Sequence, residues 1–270
     1  MNIISLFILL IIIFLGIGIF VKWNEMKIYY WKKNFSNSKG EKEIEKILEK
    51  NVIFYKHLNE KYKNKLKIDT YIMSKLKMIE GIEIKITEEI KYTIFGLSGL
   101  LLLGNENTEY YPNLTSVVVY PRAYISDQNG KEKTVNLGES WNFGTVVLSW
   151  ADVIKGAKDF NDGHNVVLHE FAHQLDQQTG TANGIPANLN VDYYTWKNTF
   201  DSEYENLIFE MENAHKDTID FYGTTNTAEF FAVSTETFFE NSENMKKEHP
   251  KLYELFVKYY RLDPMKIFSS

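Results

Sequence analysis

The segment DGHNVVLHEFAHQLDQQTG, residues 162–180, holds two histidines four positions apart, with a glutamate directly after the first. On a helix His169 and His173 project from one face, one turn above the other, so both imidazoles can grip one ion. Glu170 lies about 100° round the helix from His169, beside such an ion and not bonded to it, where it can take a proton from the ion's water. This is the arrangement that H-E-x-x-H encodes in zinc proteases. The pentapeptide alone is moderate evidence, since on the order of one such chain in a hundred would carry it by accident. A catalytic zinc takes three protein ligands and leaves a position for water. The chain has no cysteine, so the third ligand must be a histidine or a carboxylate.

The downstream candidate is NTAEFFAVSTETFFE, residues 226–240, a helix with Asn226 or Thr227 as its cap and phenylalanines along its body. Glu229 and Glu236 are seven apart and share one face. A buried unpaired carboxylate is costly, so one of the two can bind the metal while the other orients a ligand imidazole. Spacing leaves open which does which. Asp176 falls near the same face as the two histidines, and can accept from an imidazole, anchor a neighbouring loop or lie at the surface. His164 sits about 140° away from His169 and cannot join the pair without breaking the helix. His57, His215 and His249 stand in charged surroundings and read as surface residues; Trp141 and Trp150 flank a strand and read as packing.

These residues need a scaffold. The metal helix can start at Asn161 or Asp162 as cap and stop at Thr179-Gly180. Before it, SVVVY and TVVLSW read as strands of a small sheet, broken by PRAY, DQNGKEK and LGESWNFG. A strand so near the metal helix could accept a peptide as an extra strand. Further upstream, Thr87 caps a core helix running to Gly104, and EKEIEKILEKNVIFYKHLNEKYKNKLK reads as amphipathic helices behind the polar linker NFSNSKG. Helices, then strands, then helices make an α+β pattern. With 270 residues, 44% hydrophobic, there is material for a large core, and a net charge of −6 with interspersed lysines gives no basic face for nucleic acid.

The run Ile3 to Val21 carries no charge and is about as long as one bilayer-spanning helix requires. It reads as an uncleaved anchor, because no basic residue precedes it and no small-x-small site precedes Lys22. Lys22, Lys27, Lys32 and Lys33, with Trp23, Tyr29, Tyr30 and Trp31 among them, place the bulk of the chain in the cytoplasm by the positive-inside rule.

HEFAHQLD, TGTANG, DFYGTTNTAEFFAVSTETFF and the closing HPKLYELFVKYYRLDP, preceded by VVVYPRAYI and GESWNFGTVVLSWADVIKGAKDFNDGHNVVLHEFAH, resemble the Mlc titration factor A (MtfA) family of zinc peptidases. The likeness covers most of the chain after about Thr87. It implies a zincin-like fold, aminopeptidase-type cleavage, and Glu229 of AEFFA as the third, gluzincin-like ligand. That family's core is in turn similar to the catalytic domain of anthrax lethal factor, where a tyrosine in the same relation to the ligand glutamate assists catalysis; the matching position is Tyr222. The family name reflects binding to a transcriptional repressor, which no residue here identifies.

The expectation is therefore a membrane anchor at 1–22, linker and amphipathic helices at 23–86, and a zincin-like α+β catalytic domain at 87–270. His169, His173 and Glu229 hold Zn²⁺, Glu170 is the general base and Tyr222 assists. The expected partners are a peptide or protein substrate and the membrane, without nucleic acid, in a single-pass protein whose catalytic part is cytoplasmic. The rival is a membrane-tethered protein that sequesters a transcriptional regulator, its zinc structural or vestigial. Against that rival, a structural site has no use for an acid–base carboxylate at position 170 and is ordinarily closed by a fourth ligand.

Overall fold

The computed structural model describes residues 3–36, 38–106, 108–126, 134–136, 138–141 and 144–268. It divides into two compact units, Met1–Glu43 and Ile44–Ser270.

In the first unit the apolar run does not form an element of its own. It opens a continuous helix, α1 (Ile3–Phe35), which passes without a break into Lys22, Glu25, Lys27, Lys32 and Lys33. A span needs about 20 consecutive, predominantly apolar residues. Between Ile3 and Val21 the described side chains are Leu6, Phe7, Leu10, Ile12, Ile13 and Ile19, all exposed, with Ser5 and Gly16 between them. The other positions of the run lie outside the described side chains. Among the described residues no helix is long and apolar enough to cross a membrane. The expected single-pass anchor is thereby overturned, and the membrane partner and cytoplasmic orientation that rested on it lose their basis.

The second unit is α+β and mostly helical. From α2 (Lys39–Asn51) it contains the residues from Ile44 onward, followed by α3 (Ile53–His57), α4 (Glu60–Leu76) and the buried α5 (Glu88–Leu100). Thr87 caps α5 as expected, its Oγ1 accepting the Ile90 N–H at 3.3 Å. Every residue of α5 from Tyr92 on is buried, which explains why its sequence shows no polar stripe. Gly96 and Gly99 admit the neighbouring helices: an added Cβ would stand 2.3 Å from Leu48 Cδ2 and 2.7 Å from Leu66 Cδ1 respectively.

The sheet runs β1 (Met78–Gly81), β2 (Ser116–Tyr120), β6 (Thr145–Ser149), β5 (Gly138–Trp141). The first three strands are parallel, with Val117 opposite Val146 and Val119 opposite Leu148, and β5 is an antiparallel edge strand on β6. SVVVY and TVVLS are thus strands, as their β-branched runs require. LGESWNFG contains β5 and is not merely a break. Gly138 and Glu139 carry little strand propensity, and backbone pairing to β6 holds it. A separate ribbon pairs β3 (Tyr124–Ser126) with β4 (Thr134–Asn136). DQNGKEK lies outside the described residues, and the packing expected of Trp141 lies outside the described side chains.

Six further helices close the unit: α6 (Trp150–Lys158), α7 (Val166–Asp176), α8 (Tyr193–Glu212), α9 (Thr227–Glu240), α10 (Ser242–Glu248) and α11 (Pro250–Tyr260), ahead of the short α12 (Pro264–Ile267). Aromatic rings bind α8, α9 and α11 together. Trp196 stacks on Phe256 at 6.0 Å, Phe200 meets Phe230 edge-on at 4.9 Å, and Phe238 stacks on Tyr260 at 5.5 Å. The Trp196 indole N–H donates to the Gly184 carbonyl at 2.9 Å.

His249 is not at the surface. It is 2% exposed, and its partners are carboxylates distant in sequence: Glu203 Oε2 lies 2.9 Å from Nδ1 and Asp217 Oδ1 2.9 Å from Nε2. Burial lowers its pKa, but the hydrogen bonds and charges of Asp217 and Glu203 outweigh it and raise the value from 6.5 to about 9. A raised folded-state pKa contributes stability that is fully present below the unfolded value and is lost as pH rises through the folded one. The melting-temperature advantage of wild type over Asp217→Asn should therefore shrink between pH 6.5 and pH 9. Thermal unfolding of both proteins across that range measures it, and a pH-independent gap contradicts the assignment.

Candidate metal centre

The helix that carries HEFAH begins at Asn165, whose Oδ1 accepts the N–H groups of Val167 and Leu168 at 3.2 Å each. Asn161 and Asp162, the expected caps, lie in the preceding turn, where Asp162 Oδ1 accepts the His164 N–H. The residue immediately before an apolar helical run is the place to look for a cap, and Asn165 stands there. Val167, Leu168, Phe171 and Ala172 are fully buried. Phe171 meets Tyr111 edge-on at 4.8 Å, and α9 packs along α7. Past Asp176 the chain tightens into a 3-10 turn, Gln177–Thr179, and ends at Gly180 with φ 98°, the stop read from Thr179-Gly180.

This packing brings His169, His173 and Glu229 together. His169 Nε2 lies 3.2 Å from His173 Nε2 and 3.0 Å from Glu229 Oε2, and His173 Nε2 lies 3.4 Å from that same oxygen. Ligand atoms about 2.0–2.1 Å from a tetrahedral zinc stand roughly 3.3 Å from one another. The triangle of these three atoms has that size, and among the described residues they form a group able to hold a metal ion.

Glu236, two turns along α9, does not join the triangle. Its Oε1 takes His169 Nδ1 at 2.7 Å, which makes Nδ1 the donor and leaves Nε2 for the ion. The alternative left open by spacing is thus divided by geometry, with Glu229 at the triangle and Glu236 behind it.

The charges agree with a cation site. Burial pushes the His169 pKa down, but the Glu236 charge and hydrogen bonds to Glu229 and Glu236 outweigh it and hold the imidazole well above its usual value. Burial dominates at His173, whose pKa is lowered despite its hydrogen bond to Glu229. Burial would raise Glu229, yet its hydrogen bonds to both imidazoles hold the carboxyl well below the usual range. Positive charge is therefore favoured where the three ligand atoms converge, and a metal ion competes there with a proton.

The model of the family described as glucose-regulated metallo-peptidase M90 matches residues 23–261. The chain belongs to that family. It is 37% identical to an uncharacterized protein of Synechocystis over 81% of this chain and 83% of the relative. It is 27% identical to the Mlc titration factor A of Yersinia enterocolitica, over 77% of this chain and 81% of that protein. With the Mlc titration factor A of Salmonella arizonae the figures are 30%, 70% and 78%. The resemblance carried by HEFAHQLD and AEFFA is thus a family membership, and the family match reaches upstream of Thr87 to Trp23. Membership in a metallopeptidase family implies a metal, in accord with the triangle.

The other residues of interest take definite places. Glu170 is 5% exposed, and its charge acts on both His169 and Tyr222. Tyr222 lies on the 3-10 turn Phe221–Thr225, which Asp220 caps, with its ring centroid 6.1 Å from that of His169 and its side chain exposed. Asp176 is fully buried and accepts the Gly184 N–H at 2.8 Å, so it anchors the following loop and touches no imidazole. Burial, opposed by backbone hydrogen bonds from Gly184, Ile185 and Asn183, raises its pKa to about 6. His164 stands apart from the pair, 3.7 Å from Asp220 Oδ2.

Proposed function

We propose that this chain is a zinc-dependent peptidase and, in line with its family resemblance, one of aminopeptidase type. The observation that carries the reading is a buried Glu170 beside a His-His-Glu triangle of zinc dimensions. His169, His173 and Glu229 would hold the ion. Bound there, zinc would supply Lewis acidity, easing loss of a proton from water and polarising the scissile carbonyl. Glu170 takes the proton of the attacking water and returns it to the leaving amine. Among the described residues β5 ends the sheet and packs against α7, and an extended peptide substrate would pair along its outer edge.

Tyr222 would donate to the oxygen on which negative charge grows, a reading supported by its ring centroid lying 6.1 Å from that of His169. Burial and the charges of Glu229 and Glu170 raise its pKa, which keeps the phenol a donor at neutral pH. Tyr222→Phe removes the hydroxyl and keeps the ring. It should leave zinc content unchanged and lower turnover about 10- to 1,000-fold; wild-type turnover in that variant makes the tyrosine a packing residue.

A second reading is favoured by the name of the relatives, Mlc titration factor A, namely that the chain binds a transcriptional regulator and its zinc is structural. One experiment separates the two. Zinc-loaded protein is offered peptides with free and with acetylated N-termini, and cleavage of the free set alone supports the aminopeptidase reading. Equal cleavage of both sets removes the exopeptidase preference. No cleavage of either set favours the regulator-binding reading.

A further inference from the structure

Asn165 has no polar group to spare. Its side-chain Oδ1 caps α7, its carbonyl accepts the His169 N–H at 2.9 Å, and its Nδ2 donates to the Gly156 carbonyl at 3.2 Å and to Glu240 Oε1 at 2.9 Å. Its own N–H donates to Glu236 Oε2, the oxygen opposite the one that takes His169 Nδ1. The residue is 1% exposed and Glu240 4%. The packing is closed around it: a Cβ added at Gly156 would stand 3.1 Å from Asn165 Cα and Cγ.

A helix cap requires only a side-chain acceptor oxygen, which serine or aspartate supplies as well. The two bonds from Nδ2 do something else: they tie Asn165 to α6 through Gly156 and to α9 through Glu240, and so hold in place the residue whose backbone N–H meets Glu236. That N–H and His169 Nδ1 occupy the two oxygens of Glu236 and so define the carboxylate plane. The carboxylate plane in turn sets the His169 ring, whose Nε2 must point at the ion. We propose that Asn165, held by Glu240, is a positioning residue of the metal centre, aligning His169 through Glu236; this rests on the zinc-site reading above. Glu240 acts without needing its charge. Asn165 uses only an acceptor oxygen, which Glu240→Gln retains, and burial pushes the Glu240 carboxyl up, against the Asn165 hydrogen bond.

The test reads metal affinity and ligand geometry, not turnover. Full-length variants are titrated with Zn²⁺ against a chromophoric chelator, and their Co²⁺ forms are compared by visible absorption. Asn165→Ser keeps a capping oxygen and loses both Nδ2 bonds; its zinc affinity should fall about 10- to 100-fold, with an altered cobalt spectrum. Glu240→Leu should weaken binding in the same direction, whereas Glu240→Gln should stay within about threefold of wild type. Asp192→Ser exchanges the cap of α8, where Asp192 accepts the Thr195 N–H, and should leave zinc affinity unchanged. Wild-type affinity and spectrum in Asn165→Ser reduce Asn165 to a helix cap and overturn the proposal. If Asn165→Ser does not fold, the Glu240 pair decides, and equal affinities of Glu240→Leu and Glu240→Gln overturn it. Failure of the wild type itself to bind zinc defeats the zinc-site reading, and the proposal falls with it.

Discussion

Glu170→Gln should keep its zinc and lose nearly all hydrolysis. Glu170 is absent from the triangle formed by His169, His173 and Glu229, so exchanging its carboxylate for an amide removes no ligand atom. The amide is nearly the same size, and the buried pocket can accept it without a cavity. What disappears is the basic oxygen. Water then has no acceptor for its proton as it attacks, and the leaving amine has no donor. A positioned general acid–base contributes roughly 100- to 10,000-fold to rate, and because one group performs both transfers the loss should lie at the upper end. Zinc stoichiometry and single-turnover peptide cleavage on the same preparation check the two halves together. Unchanged turnover in the zinc-loaded variant means that another group moves the proton.

Removing a ligand should give the opposite pattern, in which metal binding itself fails. Zinc bound by four protein ligands is worth about 10–16 kcal/mol, on the order of 3 kcal/mol per ligand. His169→Ala, His173→Ala or Glu229→Ala should therefore lower zinc affinity roughly 100- to 1,000-fold. Glu236→Ala should cost about 10- to 100-fold, as expected of a group that orients His169 from behind. The comparison tests the division of labour along α9. Chelator competition on the four variants measures it, and if Glu236→Ala empties the site while Glu229→Ala does not, the two glutamates have exchanged roles.

The metal helix is legible in the sequence because its information is local. A spacing of four from His169 to His173, and of seven from Glu229 to Glu236, fixes which side chains share a face before any tertiary contact is known. The division between Glu229 and Glu236 is not legible from spacing, since it depends on how α9 lies along α7. The same limit explains His249. Its neighbours in sequence are charged, but the carboxylates that bury it come from α8 and from Asp217. Strand β5 escapes a reading of propensities because an edge strand built on backbone pairing needs no β-branched residues. The apolar run at 3–21 misleads for a related reason: hydropathy marks a composition, whereas the element it belongs to is set by where the helix begins and ends, here Ile3 and Phe35.

The most direct measurement of the central claim is mass-spectrometric detection of new peptide termini after incubating the zinc-loaded protein with an unbiased peptide mixture. The account predicts cleavage that ceases when a chelator strips the metal, returns when Zn²⁺ is restored, and is absent in Glu170→Gln. A fully zinc-loaded wild-type protein that releases no new termini contradicts it.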